Sequence, residues 1–236
     1  MYIKGMKNKP TLFVVTDIET TVKHRIAFDV AWITVDRKGR IYDKASYLVN
    51  EAFKLDIPYF KNKIGDYLSD AYKHDIKPES MGNIRKHFND SIQGFIDAGH
   101  KVVFCAYNAA FDSRYLGETS RRFLEKQFVV QPIKMLDIWH FWVMSAPQAY
   151  NYVTPKGNPK TSAECVYRFE SNQPDFVERH IAWNDCQIEV QILLTTLQRK
   201  KKMPLVNHPS HFNGQPWRLL LGRKRFKNPE GLVVVA

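Results

Sequence analysis

Acidic residues stand close to the ends of several apolar runs in this chain, and their placement constrains the fold more than any other feature. Residues 11–18 form a nearly continuous β-prone run, which is typical of a central strand buried on both faces. Because side chains alternate along a strand, Asp17 and Glu19 lie on the same face near its end. A second apolar run, 101–106, precedes another aspartate, and the last predicted helix begins beside a histidine. The residues that we expect to converge are Asp17, Glu19, Asp112, His180 and Asp185.

Carboxylates that converge on one point repel each other unless cations compensate their charge. Oxygen ligands suit hard divalent cations such as Mg²⁺ and Mn²⁺. Two such ions about 3.5–4 Å apart form the arrangement that supports in-line displacement at phosphorus. The sequence therefore predicts a site for two divalent cations, Mg²⁺ or Mn²⁺, and chemistry at a phosphate group.

Three motifs together resemble those of the DEDD exonucleases, the DnaQ-like and RNase T-like branch of the ribonuclease H-like superfamily. They are Asp17-x-Glu19-Thr20, Asn108-x-x-x-Asp112 and His180-x-x-x-x-Asp185, in the family's order. Because a histidine lies five residues before the last aspartate, the third motif resembles that of the DEDDh subgroup. The resemblance spans roughly residues 10–198 and rests on all three motifs together. It implies an α/β fold with a ribonuclease H-like five-stranded mixed sheet flanked by helices.

The resemblance also implies a role for each matching residue in a 3′–5′ exonuclease. Asp17 and Asp185 would bind the more deeply held ion, with Asp17 bridging to the second. Glu19 and Asp112 would help to hold the pair. His180 would deprotonate the attacking water, because an imidazole of ordinary pKa, about 6.5, accepts a proton near neutral pH. The products would be nucleoside 5′-monophosphates, released one at a time from the 3′ end.

Substrate contacts are also implied by the resemblance. The backbone of Thr20 and Thr21 would bind the terminal 3′-hydroxyl, and Val22 would wedge against the last base. Asn108 would contact the terminal sugar or phosphate, while Phe111 would either stack on a base or pack. The family commonly has glycine and a bulky apolar residue soon after the threonine. Here Thr20 is followed by Thr-Val-Lys-His, so the wedge departs from the family pattern.

Positive charge is concentrated in the C-terminal part of the chain. The net charge is +11. The segment from residue 199 onwards contains nine Lys or Arg residues and only one Glu. Such a segment attracts polyanions such as nucleic acid, although it is also typical of a solubilising terminus. We therefore divide the chain into an exonuclease domain, 1–203, and a basic extension, 204–236. We expect residues 217–221 and 232–235 of the extension to form either a strand pair that folds back onto the body of the protein or an ordered arm that binds nucleic acid or a partner.

The remaining elements follow from apolar periodicity and from turn and cap residues. Further strands are predicted at 27–35 and 41–49, turning at Gly39, and at 101–106 and 133–138. Helices are predicted at 81–97, 139–145, 163–169 and 182–199. Residues 51–78 are interpreted as short helices and loops, and residues 150–160 as a loop.

Cysteine usage and hydropathy indicate a cytoplasmic protein. Cys105, Cys165 and Cys186 are odd in number and lie in apolar surroundings, which predicts buried free thiols. The N-terminus lacks the apolar core of a signal peptide, and no apolar run approaches the length of a membrane span.

Each motif residue also has an ordinary structural interpretation. Asp17 or Glu19 could be a solvated charge at a strand end, and Asp112 could interact with a helix dipole. His180 could have only a structural role before the helix. Asp29 could either support the metal ligands from behind or be a buried acid that is satisfied by hydrogen bonds. Asp137 and Asp175 match no ligand position. The aromatic residues Trp139, Phe141 and Trp142 have helical spacing, which favours core packing over base stacking.

Three functions remain open from the sequence. The first is an exonuclease acting on 3′ ends of single-stranded DNA, which the Asn-x-x-Phe-Asp form of the middle motif favours. The second is an exoribonuclease of the RNase T or oligoribonuclease type, acting on RNA 3′ ends with the same residues. The third is a proofreading subunit or nucleic-acid-binding factor that docks on a polymerase or another replication partner.

Overall fold

A mixed six-stranded sheet lies at the centre of the protein. The computed structural model describes residues 9–55, 76–212, 214–223, 226 and 231–235. The strands are β1 (Thr11–Thr20), β2 (Ala27–Asp36), β3 (Ile41–Val49), β4 (Lys77–Glu79), β5 (Lys101–Ala106) and β6 (Lys134–Asp137), in the order β4-β3-β2-β1-β5-β6. The first three form an antiparallel meander, and β5 and β6 run parallel to β1. The carboxyl ends of β1, β5 and β6 therefore lie at the same edge.

Helices cover both faces of this sheet. In the described part of the chain they are α1 (Asn50–Leu55), α2 (Met81–Asp97), α3 (Ala109–Leu124), α4 (Ile138–Ser145), α5 (Ala163–Ser171) and α6 (Ala182–Arg199). Alternate residues of β1 enter two apolar cores, as the period of a strand requires. Val14 and Ile18 pack with side chains of α2 and α3, whereas Phe13 and Val15 pack with side chains of α4 and α6. The prediction of a central strand buried on both faces is confirmed.

Local signals for several element ends are also confirmed. Gly39 turns the β2–β3 hairpin with φ 79°, a conformation that suits glycine. Ser80 caps α2 by accepting a hydrogen bond from the N–H of Asn83 at 3.2 Å. Ser162 caps α5 in the same way, through the N–H of Cys165 at 3.4 Å. Helices α2 and α6 have the predicted bounds.

The structure corrects three predictions. The sheet has six strands, because Lys77–Glu79 pairs in parallel with β3, and Lys-Pro-Glu carries no apolar signal for a strand. The predicted loop 150–160 contains β7 (Tyr152–Val153), which pairs with β8 (Val233–Val234). The strand pair proposed for the extension is wrong, because Pro216–Leu220 is a 3-10 helix and residues 233–234 pair with β7 instead. Much of the segment 51–78, namely 56–75, lies outside the described residues.

The C-terminal extension packs against both layers. Val206 exchanges backbone hydrogen bonds with Met135 of β6, and Phe212 is buried in the core that contains α3. Leu220 is buried in the other core, against α4. Arg223, one of the basic residues of the extension, donates to the carbonyl of Ala146 at the end of α4, at 2.7 Å. The extension therefore contributes to the fold, and its residues 224, 225 and 227 lie outside the described part of the chain.

The burial of cysteine and aromatic side chains follows the sequence predictions. All three cysteines are buried and free. Phe141 and Trp142 are fully buried, and Trp139 is half-buried and stacks on Tyr107, so these aromatics pack in or beside the core. Among the helices that the structure describes, none is both long and apolar enough to cross a membrane.

Candidate metal centre

The motif residues meet in one cavity at the carboxyl end of β1. The cavity has a volume of about 290 Å³ and lies where β1 and β5 end, between the two helical layers. Strand β1, helix α3 and helix α6 with the residues before it contribute the acids and the histidine. The motif residues that line it are Asp17, Glu19, Asp112, His180 and Asp185.

Strand β1 positions the first pair of acids. Asp17 and Glu19 are two residues apart, so both face the layer that contains α6. Glu19 lies opposite Asp29 of β2, and the β1–β2 register shifts directly after this pair. Such a bulge ends regular pairing and turns the strand at the rim of the cavity.

Helix α3 positions Asp112, and Asp137 holds the start of that helix. Asn108 precedes α3 in the left-handed conformation, with φ 73°, which asparagine tolerates better than most residues. The buried carboxylate of Asp137 accepts hydrogen bonds from the N–H groups of Ala109 at 2.9 Å and His140 at 2.8 Å. One acid thus fixes the beginnings of both α3 and α4, one turn from Asp112.

Helix α6 positions Asp185, and Asp29 holds its start in the same manner. The buried carboxylate of Asp29 accepts a hydrogen bond from the N–H of Ala182, the first residue of α6, at 3.0 Å. His180 lies just before this helix with φ 53°, and its side chain is 74% exposed. The left-handed backbone at His180 redirects the chain so that the imidazole reaches the cavity.

Three of these side chains could hold a metal ion. One ligand atom from each of Glu19, His180 and Asp185 lies within 4.8 Å of the other two. The Oδ2 atom of Asp17 and the Oδ1 atom of Asp185 are buried and have no hydrogen-bond partner among the described residues. Burying a carboxylate oxygen without a hydrogen-bond donor costs free energy. A divalent cation coordinated by these oxygens would remove that cost.

The electrostatics of the site also fit a bound cation. Burial raises the pKa of Asp17 well above its ordinary value, and the carboxyl of Glu189 raises this pKa further. Burial likewise raises the pKa of Asp112. The pKa of Asp185 rises to about 9, first because the group is buried and then because Glu178 lies nearby. Burial and mutual repulsion thus disfavour the charged forms of these acids, and a bound cation would favour them.

Two acids of the cavity, Glu178 and Glu189, belong to none of the three motifs and were not predicted from the sequence. Glu189 lies one helical turn after Asp185, is buried, and accepts a hydrogen bond from the N–H of Tyr107 at 3.2 Å. It therefore joins α6 to the end of β5. The Oε2 atom of Glu178 lies 3.8 Å from Nδ1 of His180. The four-residue spacing from Asp185 to Glu189 was the available signal, because such residues share one face of a helix.

The predicted substrate-contacting residues divide into two groups. Thr20, Asn108 and Phe111 line the cavity. Thr21 is buried outside it, and its N–H donates to the carbonyl of Ile26 at 2.9 Å, which closes the β1–β2 turn. This N–H is therefore committed to the turn, and the structure does not place it for a terminal hydroxyl. Val22 is 68% exposed and also lies outside the cavity lining.

Comparison with known proteins adds no family to these observations. No protein-family model matches the chain, and no curated protein is significantly similar to it. What bears on function is therefore an α/β fold with a mixed six-stranded sheet, together with a cavity whose Glu19, His180 and Asp185 could hold a metal ion.

Proposed function

We propose that this protein is a metal-dependent 3′–5′ exonuclease of the DEDDh type, acting on single-stranded DNA and releasing nucleoside 5′-monophosphates. The observation that carries the proposal is the meeting of three motifs, far apart in the chain, in one cavity. A second support is the strand order, in which an antiparallel meander is extended past β1 by two parallel strands. This order is compatible with a ribonuclease H-like fold.

The donor set of the cavity suits a pair of Mg²⁺ or Mn²⁺ ions. Asp17, Glu19, Asp112 and Asp185 would hold them through carboxylate oxygens. When bound, the ions would supply positive charge at the scissile phosphate and at the leaving 3′ oxygen. The acids of the chain thereby set where the phosphate is bound, and Asp29 and Asp137 keep two of these acids in place.

The chain's own contribution to proton transfer comes from His180. Its side chain is exposed at the cavity, where an attacking water can reach it. Glu178 lies beside Nδ1 of this ring, which leaves Nε2 to accept the proton of the water. Asn108 and Phe111 form the rim next to the acids, so a terminal nucleotide would contact them.

The proposal is tested with end-labelled single-stranded DNA, RNA and duplex DNA, each incubated with Mg²⁺, Mn²⁺ or EDTA. We expect stepwise loss of 3′ nucleotides from single-stranded DNA with metal and none in EDTA. Asp17→Asn, which keeps the size of the side chain, should abolish the reaction while the protein remains folded. Degradation that continues in excess EDTA would refute the proposal, and preference for RNA would make the protein an exoribonuclease.

A further inference from the structure

A second and larger cavity lies on the other side of α3 from the acids. Its volume is about 740 Å³, within the range of roughly 300–1,000 Å³ that is common for ligand sites. One wall is α3, the second is the segment 127–135, and the third is the extension at residues 207, 208 and 210. We call it the α3 groove.

The lining of the α3 groove combines positive charge with apolar walls. Arg114 and Arg121 come from α3, and His208 comes from the extension. Among the described residues, the lining contains no Asp or Glu, and Arg121 pairs with no carboxylate. Phe128 and Ile133 supply part of the apolar wall. A ligand that is negatively charged at one edge and flat and apolar elsewhere matches this lining, as a nucleotide does.

The α3 groove adjoins the metal centre at one shared side chain. Phe111 lines both cavities, so the two cavities meet at this ring. Phe111 also contacts Tyr115, another groove residue, with ring centroids 4.7 Å apart. Arg114 lies about one turn after Phe111 on α3, and its guanidinium group is 5.2 Å from the centre of the Tyr115 ring.

We infer that the α3 groove binds the part of the single strand that precedes the nucleotide at the metal centre, with Arg114 and Arg121 contacting its phosphates. This inference rests on the proposed function. Aromatic rings and guanidinium groups together bind single strands without reading their sequence, because every base has an apolar face and every linkage a charge. Arg121 has no carboxylate partner among the described residues, and Arg114 has donors beyond its exposed pair with Glu118, so both can donate to phosphate oxygens.

An acidic peptide would also be attracted by two arginines, but the shared wall favours the nucleic acid. A strand whose end lies at the acids must leave that cavity. The groove shares Phe111 with that cavity, and its described lining residues include no carboxylate that would repel phosphates. The extension also lines this groove, through residues 207, 208 and 210, which are separate from the contacts of Leu220 and Arg223 with the core and α4.

The test compares two double variants that each remove two exposed positive side chains. Arg114→Ala/Arg121→Ala alters the groove, whereas Lys101→Ala/Arg122→Ala changes the same net charge outside the groove lining. Affinity for a labelled 12-mer of thymidine is measured in EDTA over a range of salt concentrations, and thermal unfolding checks that each variant is folded. KM for the same 12-mer is then measured with Mn²⁺.

We expect the groove variant to bind the 12-mer at least about tenfold more weakly, since each lost arginine removes a charge-assisted contact. The slope of log affinity against log salt should become shallower by about 0.7 for each lost contact, or about 1.4 for two. KM should rise in parallel. The control variant should keep the affinity and the slope of the wild-type protein.

Two outcomes would overturn the inference. Equal losses in both variants would indicate a general effect of charge, and unchanged affinity in the groove variant would exclude the groove from nucleic-acid binding. The proposed function fails differently. Wild-type protein that binds the 12-mer through these arginines but hydrolyses nothing would refute the exonuclease and keep the groove as a nucleic-acid site.

Discussion

Asp29 of β2 accepts a hydrogen bond from the N–H of Ala182 at 3.0 Å, and this contact joins the second strand to the first residue of α6. Both groups are buried. Asp185 lies in the first turn of the same helix, so the position of its carboxylate depends on where α6 begins. Asp137 makes the equivalent contact with Ala109 at the start of α3. Acids outside the motifs thus hold the helices that carry motif acids.

The first prediction concerns Asp29. Asp29→Ala leaves the N–H of Ala182 buried without this acceptor, which costs about 1–3 kcal/mol, and it lets Asp185 move. We expect a loss of stability of that size in urea unfolding and weaker binding of Mn²⁺ in a titration. Asp29→Asn keeps an oxygen acceptor and should retain most of both properties. Equal losses of stability and of Mn²⁺ affinity in the two variants would show that these properties depend on the charge of Asp29 and not on its hydrogen-bond acceptor.

The second prediction is a dependence of stability on pH in the absence of metal. The pKa of Asp185 rises in the folded protein from 3.8 to about 9, and the pKa values of Asp17, Asp112 and Glu189 are shifted in the same direction. An acid with a raised pKa binds more protons when folded. Its contribution to stability is therefore present below the unfolded pKa and is lost as the pH rises through the folded pKa.

In EDTA, the unfolding temperature should consequently fall as the pH is raised from about 5 to about 9. Added Mg²⁺ or Mn²⁺ should reduce this fall, because a cation replaces the protons and is bound more tightly as they leave. Asp185→Asn should flatten the profile measured in EDTA. An unfolding temperature that increases over this range in EDTA, with the metal making no difference, would contradict the prediction.

The third prediction separates two roles of His180. If its imidazole takes the proton of the attacking water, His180→Ala should lower kcat by about 10²–10⁴-fold and leave Mn²⁺ binding largely intact. His24, exposed and outside the cavity lining, provides the control, and His24→Ala should keep full turnover. Loss of Mn²⁺ binding together with turnover would make His180 a ligand, which its distance to Glu19 and Asp185 also allows.

The elements that carry the motifs could be predicted because each signal is local. The alternation of β1 places Asp17 and Glu19 together, and the apolar period of residues 182–199 defines α6. The sixth strand could not be predicted, because Lys77–Glu79 pairs with β3 through its backbone and has no apolar alternation.

The roles of Asp29, Asp137 and Glu189 depend on contacts between distant segments. Each accepts a backbone N–H from another element, and nothing in the residues around these acids indicates which N–H that is. For Asp29 the partner lies 153 positions away in the chain. A buried acid can therefore be recognised from an apolar context, but its partner is defined only by the tertiary fold.

The last prediction concerns the C-terminal extension, through two adjacent leucines. Leu220 is fully buried against α4, whereas Leu219 is 62% exposed. Leu220→Ala should lower the free energy of unfolding by about 2–5 kcal/mol, because it leaves a cavity in the core. Leu219→Ala should change the free energy of unfolding by no more than about 0.5 kcal/mol. Urea unfolding of the two variants provides the measurement.

Removal of residues 204–236 should have a larger effect than either substitution, because it also deletes Phe212 and the hydrogen bond from Arg223 to Ala146. We therefore expect the truncated protein to melt far earlier or to be insoluble. An arm that only binds nucleic acid would behave differently. In that case Leu220→Ala would leave the urea midpoint unchanged, and the truncated protein would stay folded while its affinity for single-stranded DNA fell.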